Sequence, residues 1–365
     1  MQDMRYAEIP ENLNSPEEKI QMKMRSKSHN SIKVVLLVIL TGLLLAACGP
    51  GVPENEGSKG PLTQTSIQLS WVHTIEFAGF YSAVEKGYYE DEGLEVRLQE
   101  GGIDEGGNYI DPLQRVVDGE ADFGVFGADY LILARAEGKP VVAVATIYQR
   151  SPVALISLAE SGIQTPQDLV GKRVGVNIGS DDTYFNAMLA SQDIDPSEVT
   201  VVPADPTLKA LTTGEVDAQM GFVTNEPVAL KQQGFETNVV LPSDYGVDVY
   251  SNVIFTTDDI VNNQPDLVEK FLRATMRGDE EAVSDPTHAA QLSVERNEDL
   301  SVESEQASMQ SSLPLLKPTG SQIGMMTTEA WDRAHQFVLD QGMLDTSVEL
   351  SKVYTLTFLN KVHDK

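Results

Sequence analysis

From Ser66 onward, short apolar runs with a period of two alternate with longer runs whose apolar positions recur at helical spacing. The segments "SIQLSW", "LEVRLQE", "ADFGVF" and "VVAVATIY" read as strands. Between them "FAGFYSAVEKGYY", "PLQRVVDG" and "DYLILARAEG" read as helices. A second series repeats the alternation. It predicts strands at "PVALISL", "RVGVN", "VTVVP", "AQMGFV", "NVVLP" and "SNVIFTT", and helices at "TPQDLV", "DTYFNAMLAS", "TLKALTTG" and "EPVALKQQG". Beyond residue 258 the pattern is mostly helical, with starts at "TTDD" and "TTEAW". Strands alternating with helices predict an α/β fold.

An internal echo organises the two series. "LQRVVDGEADFGVF" and "LKALTTGEVDAQMGFV" each hold a short helix, then Gly-Glu-x-Asp, then a strand. Gly119-Glu120-Ala121-Asp122 matches Gly214-Glu215-Val216-Asp217. Glycine suits the position just past a helix, where φ is positive. The echo is either one αβ turn used twice or the mark of two similar lobes, each with its own sheet. The spacing of the copies suits one small α/β lobe each.

Charge and the first residues change the picture. Acids outnumber bases 55 to 26. So acidic a chain repels nucleic acid, and no basic stripe is present in the sequence. The one long apolar run, residues 34–47, has 14 residues, short of the roughly 20 a spanning helix needs. Lys23, Arg25, Lys27 and Lys33 precede it, and it ends in Leu45-Ala46-Ala47-Cys48. This is a secretory pattern resembling a bacterial lipobox, which implies cleavage before Cys48 and lipidation of its thiol. Residues 1–47 are then a signal peptide with a long n-region. Residues 48–65, rich in Gly, Pro and polar side chains, are expected to be a flexible tether. Cys48 is the only cysteine, which excludes intramolecular disulfides and Cys-rich metal sites.

Trp71, Gly79, Tyr81, Ala83, "EKGYY" and "EGLEV" form a spaced motif, followed by "GEADFGV", "GKPVVAVA", "PQDLVGKRVGV" and "DYGVDVYSNVIFTT". In order and spacing these resemble the substrate-binding proteins of ABC importers. The nearest group includes binders of thiamine pyrimidine precursors, riboflavin, alkanesulfonates and nitrate. The resemblance implies a periplasmic-binding-protein type 2 fold, with two sheets, flanking helices and two crossover strands. Residues 66–149 plus 251–365 would form one lobe and 150–250 the other, with the ligand between them. The implied partners are an ABC permease and its ATPase, with a lipid anchor in the membrane. No cofactor or metal is expected, and the protein is expected to be a monomer.

In open α/β sheets ligands lie beyond the carboxyl ends of strands, and this rule selects site candidates. Trp71, Glu76, Phe77 and Tyr81 follow the first strand. The aromatic residues suit either a stacking platform or the core. Glu76 suits either a helix start or the edge of a ligand ring. Phe80 reads as core. Ala128 and Asp129 follow "ADFGVF", with Asp129 read as an N-cap and a ligand contact. Tyr148 and Gln149 lie on the first crossover; Tyr245 and Asp248 lie on the second. Ser180, Asp181, Asp182 and Tyr184 open a helix after "RVGVN". The two aspartates there disfavour an anionic ligand. Asn225 and Glu226 follow "AQMGFV" and suit a donor–acceptor edge. The acidic run "NEDLSVESE" reads as a solvated face.

One relative of this fold is an enzyme that makes the thiamine pyrimidine with an active-site His and a Cys-rich iron motif. Where the precursor-binding branch often reads Trp-x-Pro-Asn-x-Asn-His, this chain has His73 for Pro, Glu76 for the second Asn and Phe77 for His. These departures argue against the enzyme and set the pyrimidine level with a larger flavin-like ring. The expectation is a non-enzymatic lipoprotein capturing an aromatic vitamin-type heterocycle. The alternatives are a binder of sulfonate- or nitrate-type anions and an extracytoplasmic enzyme of the same fold.

Overall fold

The computed structural model describes residues 60–177 and 180–364, without the side chains of Ser180 and Asp181. The expected signal peptide, Cys48 and most of the tether lie outside the described residues. Among the described residues, ten strands form two five-stranded sheets. They are β1 (Thr63–Gln68), β2 (Leu94–Gln99), β3 (Phe123–Phe126), β4 (Val141–Thr146), β5 (Val153–Leu158), β6 (Arg173–Val176), β7 (Thr200–Pro203), β8 (Ala218–Phe222), β9 (Thr237–Val240) and β10 (Val253–Thr257).

The first sheet has the order β2-β1-β3-β10-β4 and the second β7-β6-β8-β5-β9. Each holds three parallel strands followed by one that runs antiparallel to both of its neighbours. In the first sheet that strand is β10, which arrives after the second sheet is complete. In the second it is β5, which arrives directly from β4.

The echo lies at equivalent places in the two sheets. Gly119 and Gly214 each follow a short helix and share φ of 75°. The Asp122 carboxylate accepts the Ser66 N–H at 2.9 Å and the Thr65 hydroxyl at 2.8 Å. Asp217 accepts the Arg173 N–H at 2.8 Å. Each aspartate thus ties its own strand to the neighbouring parallel one.

β1 begins at Thr63, ahead of Ser66, so the first strand takes in residues expected in the tether. It stops at Gln68 rather than Trp71. The Gln68 amide donates to the carbonyls of Leu69, Gln99 and Glu100 at 3.1, 3.2 and 2.8 Å, closing the strand end. Both expected helix starts carry caps: Thr257 accepts the Ile260 N–H at 3.3 Å and Thr327 the Ala330 N–H at 3.2 Å. "TPQDLV" forms a 3-10 turn, Pro166–Leu169, closed by reciprocal bonds between Thr165 and Asp168.

The long helix Pro265–Ser284 covers the first sheet with Leu267, Val268, Phe271 and Leu272. Phe271 stacks on Phe123 of β3 with ring centres 4.0 Å apart and planes 7° apart. The helix Ala78–Glu85 lies against the same long helix. Gly79 and Gly278 permit the approach, since a Cβ on Gly278 would collide with the Gly79 carbonyl. Phe80 is buried here, as expected of a core residue.

Candidate functional site

The segment after β1 turns through Ser70–His73 into a 3-10 turn, Ile75–Phe77, and then into the helix Ala78–Glu85. Glu76 sits in that 3-10 turn and is 9% exposed. Three distant segments surround it. Asn252, just ahead of β10, donates its amide to Glu76 Oε1 at 3.4 Å. Glu305, on the helix Val302–Leu316, accepts the Ile75 N–H at 2.7 Å. Glu226 opens the helix Glu226–Gln232 after β8 and accepts the Phe222 N–H at 2.6 Å. Gly221 leaves room for that return, because a Cβ there would sit 2.5 Å from the Glu226 carboxyl carbon.

This setting governs charge. Burial pushes the Glu76 carboxyl up to about 8, reinforced by the negative charge of Glu305, opposed by the Asn252 bond, and reinforced again by Glu226. Burial also pushes Glu305 up to about 7 against the pull of the Ile75 N–H. The run "NEDLSVESE" is therefore not wholly a solvated face: its last residue, Glu305, is buried and bonded. Among the described residues, no group of three or more His, Cys, Asp or Glu is placed to hold a metal ion.

Beside the acids lies a row of aromatic rings. Trp71 and Tyr109 have centres 6.5 Å apart and planes tilted by 30°. Tyr109 and Phe126 follow at 6.5 Å and 22°, then Phe126 and Tyr130 at 4.3 Å and 16°. Trp71 and Tyr109 are 46% and 41% exposed. The Tyr109 hydroxyl donates to the Ser70 carbonyl at 2.9 Å, fixing its loop to the end of β1. That loop is closed by Asp104, which takes the Asn108 N–H at 2.8 Å and gives its own N–H to the Asn108 carbonyl at 2.8 Å. Burial, with the charges of Asp111, Tyr130 and Glu76, holds the Tyr109 hydroxyl above its ordinary range. The row is thus within electrostatic reach of Glu76.

The sequence-predicted residues divide around this arrangement. Glu76 and Glu226 converge, and Trp71 heads the aromatic row. Tyr148 is buried, with its hydroxyl 3.3 Å from Ser312 and raised by burial and by Glu76. Tyr81 is buried beneath Arg296, whose guanidinium lies 4.6 Å over the ring, and its hydroxyl is 3.0 Å from His73 Nδ1. Its ring therefore has no exposed face to offer as a platform. His73, unpartnered in the sequence, has its basicity lowered by burial. Phe77 is fully buried and stacks on Phe80, so it belongs to the core rather than to a stacking platform.

Ala128 is buried, and its N–H donates to the Tyr250 carbonyl at 2.8 Å. Asp129 is buried in the first turn of the helix Ala128–Ala136, whose N-cap is Gly127, so the cap lies ahead of the expected residue. The Gln149 amide donates to the carbonyls of Leu316 and Gln322 at 2.9 and 2.8 Å, binding the crossing segment to the C-terminal helices. Asn225 is the half-buried N-cap of Glu226–Gln232. Asp182 accepts the Asn186 amide at 3.1 Å, while the Ser180 and Asp181 side chains lie outside the described residues. Tyr184 packs on Phe337 at 5.5 Å. Tyr245 ends the 3-10 turn Pro242–Tyr245, and Asp248 pairs with Arg333 at 3.2 Å. Tyr109, Tyr130 and Glu305 were missed. The only signal for the first two was an aromatic residue in a Gly-rich loop and one just after a strand end.

Residues 74–289 match the family described as NMT1/THI5 like. The chain belongs to the NMT1/THI5-like family. It is 30% identical over 354 residues to the riboflavin-binding protein RibY of Chloroflexus aurantiacus, covering 90% of this chain and 98% of that protein. It is 28% identical over 311 residues to the formylaminopyrimidine-binding protein of Halalkalibacterium halodurans, covering 83% of this chain and 91% of that protein. Other relatives, from Legionella pneumophila and Schizosaccharomyces pombe at 27% and 24% identity, are named 4-amino-5-hydroxymethyl-2-methylpyrimidine phosphate synthases. Among solved structures, the putative sulfonate-binding protein SsuA of Methylobacillus flagellatus superposes with a TM-score of 0.62. That match has 17% identity and covers 83% of this chain and 94% of that one. At that identity the likeness establishes the fold, that of periplasmic binding proteins.

Proposed function

We propose that this chain is the extracytoplasmic substrate-binding component of an ABC importer. Its ligand is a flat aromatic heterocycle, a flavin of the riboflavin type or a thiamine pyrimidine precursor. The observation that carries this reading is the row Trp71–Tyr109–Phe126–Tyr130 standing beside the Glu76 carboxyl. The rings supply stacking area, and the acid supplies an edge contact. The names of the two binding-protein relatives point the same way. Residues 66–149 with 251–365 would act as one lobe and 150–250 as the other, closing on the ligand. Cys48 would carry the lipid that holds the protein at the membrane, where permease and ATPase subunits await it.

The acids around Glu76 weigh against sulfonate, nitrate or phosphate as the ligand. Asp181 and Asp182, at the start of the helix after β6, would weigh in the same direction. Binding rather than catalysis fits His73, which has one ring nitrogen beside the Tyr81 hydroxyl. The test is a fluorescence titration of the purified protein with riboflavin, formylaminopyrimidine and an alkanesulfonate. A heterocycle should bind, and Trp71→Ala should weaken it about 10-fold, the scale of one lost stacking contact. Binding of the sulfonate alone, or an unchanged affinity in Trp71→Ala, would overturn the reading.

A further inference from the structure

Glu76 is a buried carboxyl whose main electrical neighbours are two more carboxyls, Glu305 and Glu226. Asn252 touches one of its oxygens, at 3.4 Å. Tyr81, on the following helix, Tyr148, on the crossing segment, and Tyr109, in the aromatic row, also lie within its field. Arg296 is drawn to the face of Tyr81 and donates to the Leu292 carbonyl at 2.8 Å. A buried acid set among acids keeps its proton. A protonated carboxyl is both donor and acceptor, with the two functions side by side.

We infer that Glu76 reads the ligand's ring edge as a neutral carboxylic acid, giving its O–H to a ring carbonyl or ring nitrogen and taking a ring N–H or amino hydrogen in return. The inference rests on the proposed heterocycle site and specifies the edge that the site selects. An imide edge, as in a flavin, presents N–H beside C=O. An aminopyrimidine edge presents N–H beside a ring nitrogen. Both complete a pair of hydrogen bonds with COOH. A carboxylate would leave the ligand's acceptor unpaired in a buried place, which is a strong basis for discrimination. An edge with no N–H, such as that of a sulfonate or nitrate, is disfavoured because it leaves the acid's own C=O without a donor.

The carboxyl titrates near 8. Affinity should therefore hold at pH 6.5 and fall as pH climbs through that value, by about 10-fold at one unit above it. The probes are riboflavin, lumiflavin and N3-methyl-lumiflavin, followed by flavin fluorescence, and formylaminopyrimidine, followed by calorimetry. Wild-type protein should bind lumiflavin about 10-fold tighter than its N3-methyl form. Glu76→Gln keeps one donor and one acceptor in the same shape. It should rescue binding at pH 6.5 to within about 3-fold and flatten the pH profile, whereas Glu76→Leu should lose about 30-fold or more. A fall with pH that persists in Glu305→Gln would exclude Glu305 as the titrating group, whereas a profile flattened by Glu305→Gln alone would overturn the assignment to Glu76. A pH-independent wild type, indifference to N3-methylation, or Glu76→Gln as weak as Glu76→Leu would each overturn the inference while leaving the site intact. If wild-type protein binds none of the heterocycles, the site reading fails and takes this inference with it.

Discussion

The two sheets share one strand order and one aspartate tie, yet they differ in what is built upon them. Every residue of β4 and four of the five in β10 are buried in the first sheet. In the second sheet, β7 has no buried residue and β9 has one. Position by position the contrast sharpens. Phe123 follows Asp122 in β3 and stacks on Phe271; Ala218 follows Asp217 in β8. Among the described residues, the acids with raised proton affinity, Glu76, Asp279 and Glu305, are all outside the second sheet's span. A common backbone plan thus fixes where strand ends fall. Covering helices decide which of those ends become dry enough to alter charge.

The contrast can be broken at three points. Phe123→Ala removes a fully buried stacked ring and should cost about 3–5 kcal/mol in urea unfolding. Ala218→Gly, at the matching place, should cost about 1 kcal/mol. A loss at Phe123→Ala no larger than that at Ala218→Gly would mean that the stacked ring adds nothing to the cover of the first sheet.

The aspartate ties test the same comparison on a smaller scale. Asp122→Ala strands a backbone N–H and a hydroxyl, at a cost of about 2–3 kcal/mol. Asp217→Ala strands one N–H in a more open setting and should cost about 1 kcal/mol. A reversed order would show that the second tie bears more of its sheet than its exposure suggests.

A separate way to break the comparison uses pH. Asp279, against Gly79, is raised from 3.8 to about 8 by burial, and Glu76 from 4.5 to about 8. Between the lower and upper values the folded chain holds protons that the unfolded chain has released. Stability from these groups is therefore full at acid pH, declines as pH rises from about 4 to 8, and levels off above. Asp279→Asn removes the charge and should raise stability by several kcal/mol at pH 8, roughly 1.4 kcal/mol for each pH unit from 3.8 to about 8, with little change near pH 4. Thermal melts at the two pH values decide it. A variant equally shifted at both would trace the effect to shape rather than charge.

Much of this was legible in the chain. The Gly-Glu-x-Asp echo disclosed the repeated helix-to-strand turn, because positive φ and a strand-capping carboxylate are local demands. Thr257 and Thr327 announced their helices for the same reason. The site was only half legible. Glu76 and Trp71 stood out by type, but Phe77 could equally serve core or platform until the 3-10 turn aimed it inward. Glu305 approaches Ile75 across 230 residues, and nothing in an acidic run distinguishes the one member that will be buried. Tyr109 lies in a polar, Gly-rich loop. Its alignment with Phe126 depends on how β1, β2 and β3 sit side by side, which no local pattern encodes.

The placement of β10 has a consequence for the order in which the molecule can be finished as it is made. The second sheet is contiguous in the chain, from Val153 to Val240, and all its strands are present once β9 has been synthesised. The first sheet is not. β3 and β4 flank an empty lane until Val253–Thr257 arrives to pair with both. Until then each carries a row of unpaired backbone groups along a largely apolar strand, the kind of edge that invites foreign partners. The half that bears the ring row is thus the last to close, and a nascent chain halted before residue 257 would own a complete second sheet and an unsealed first one.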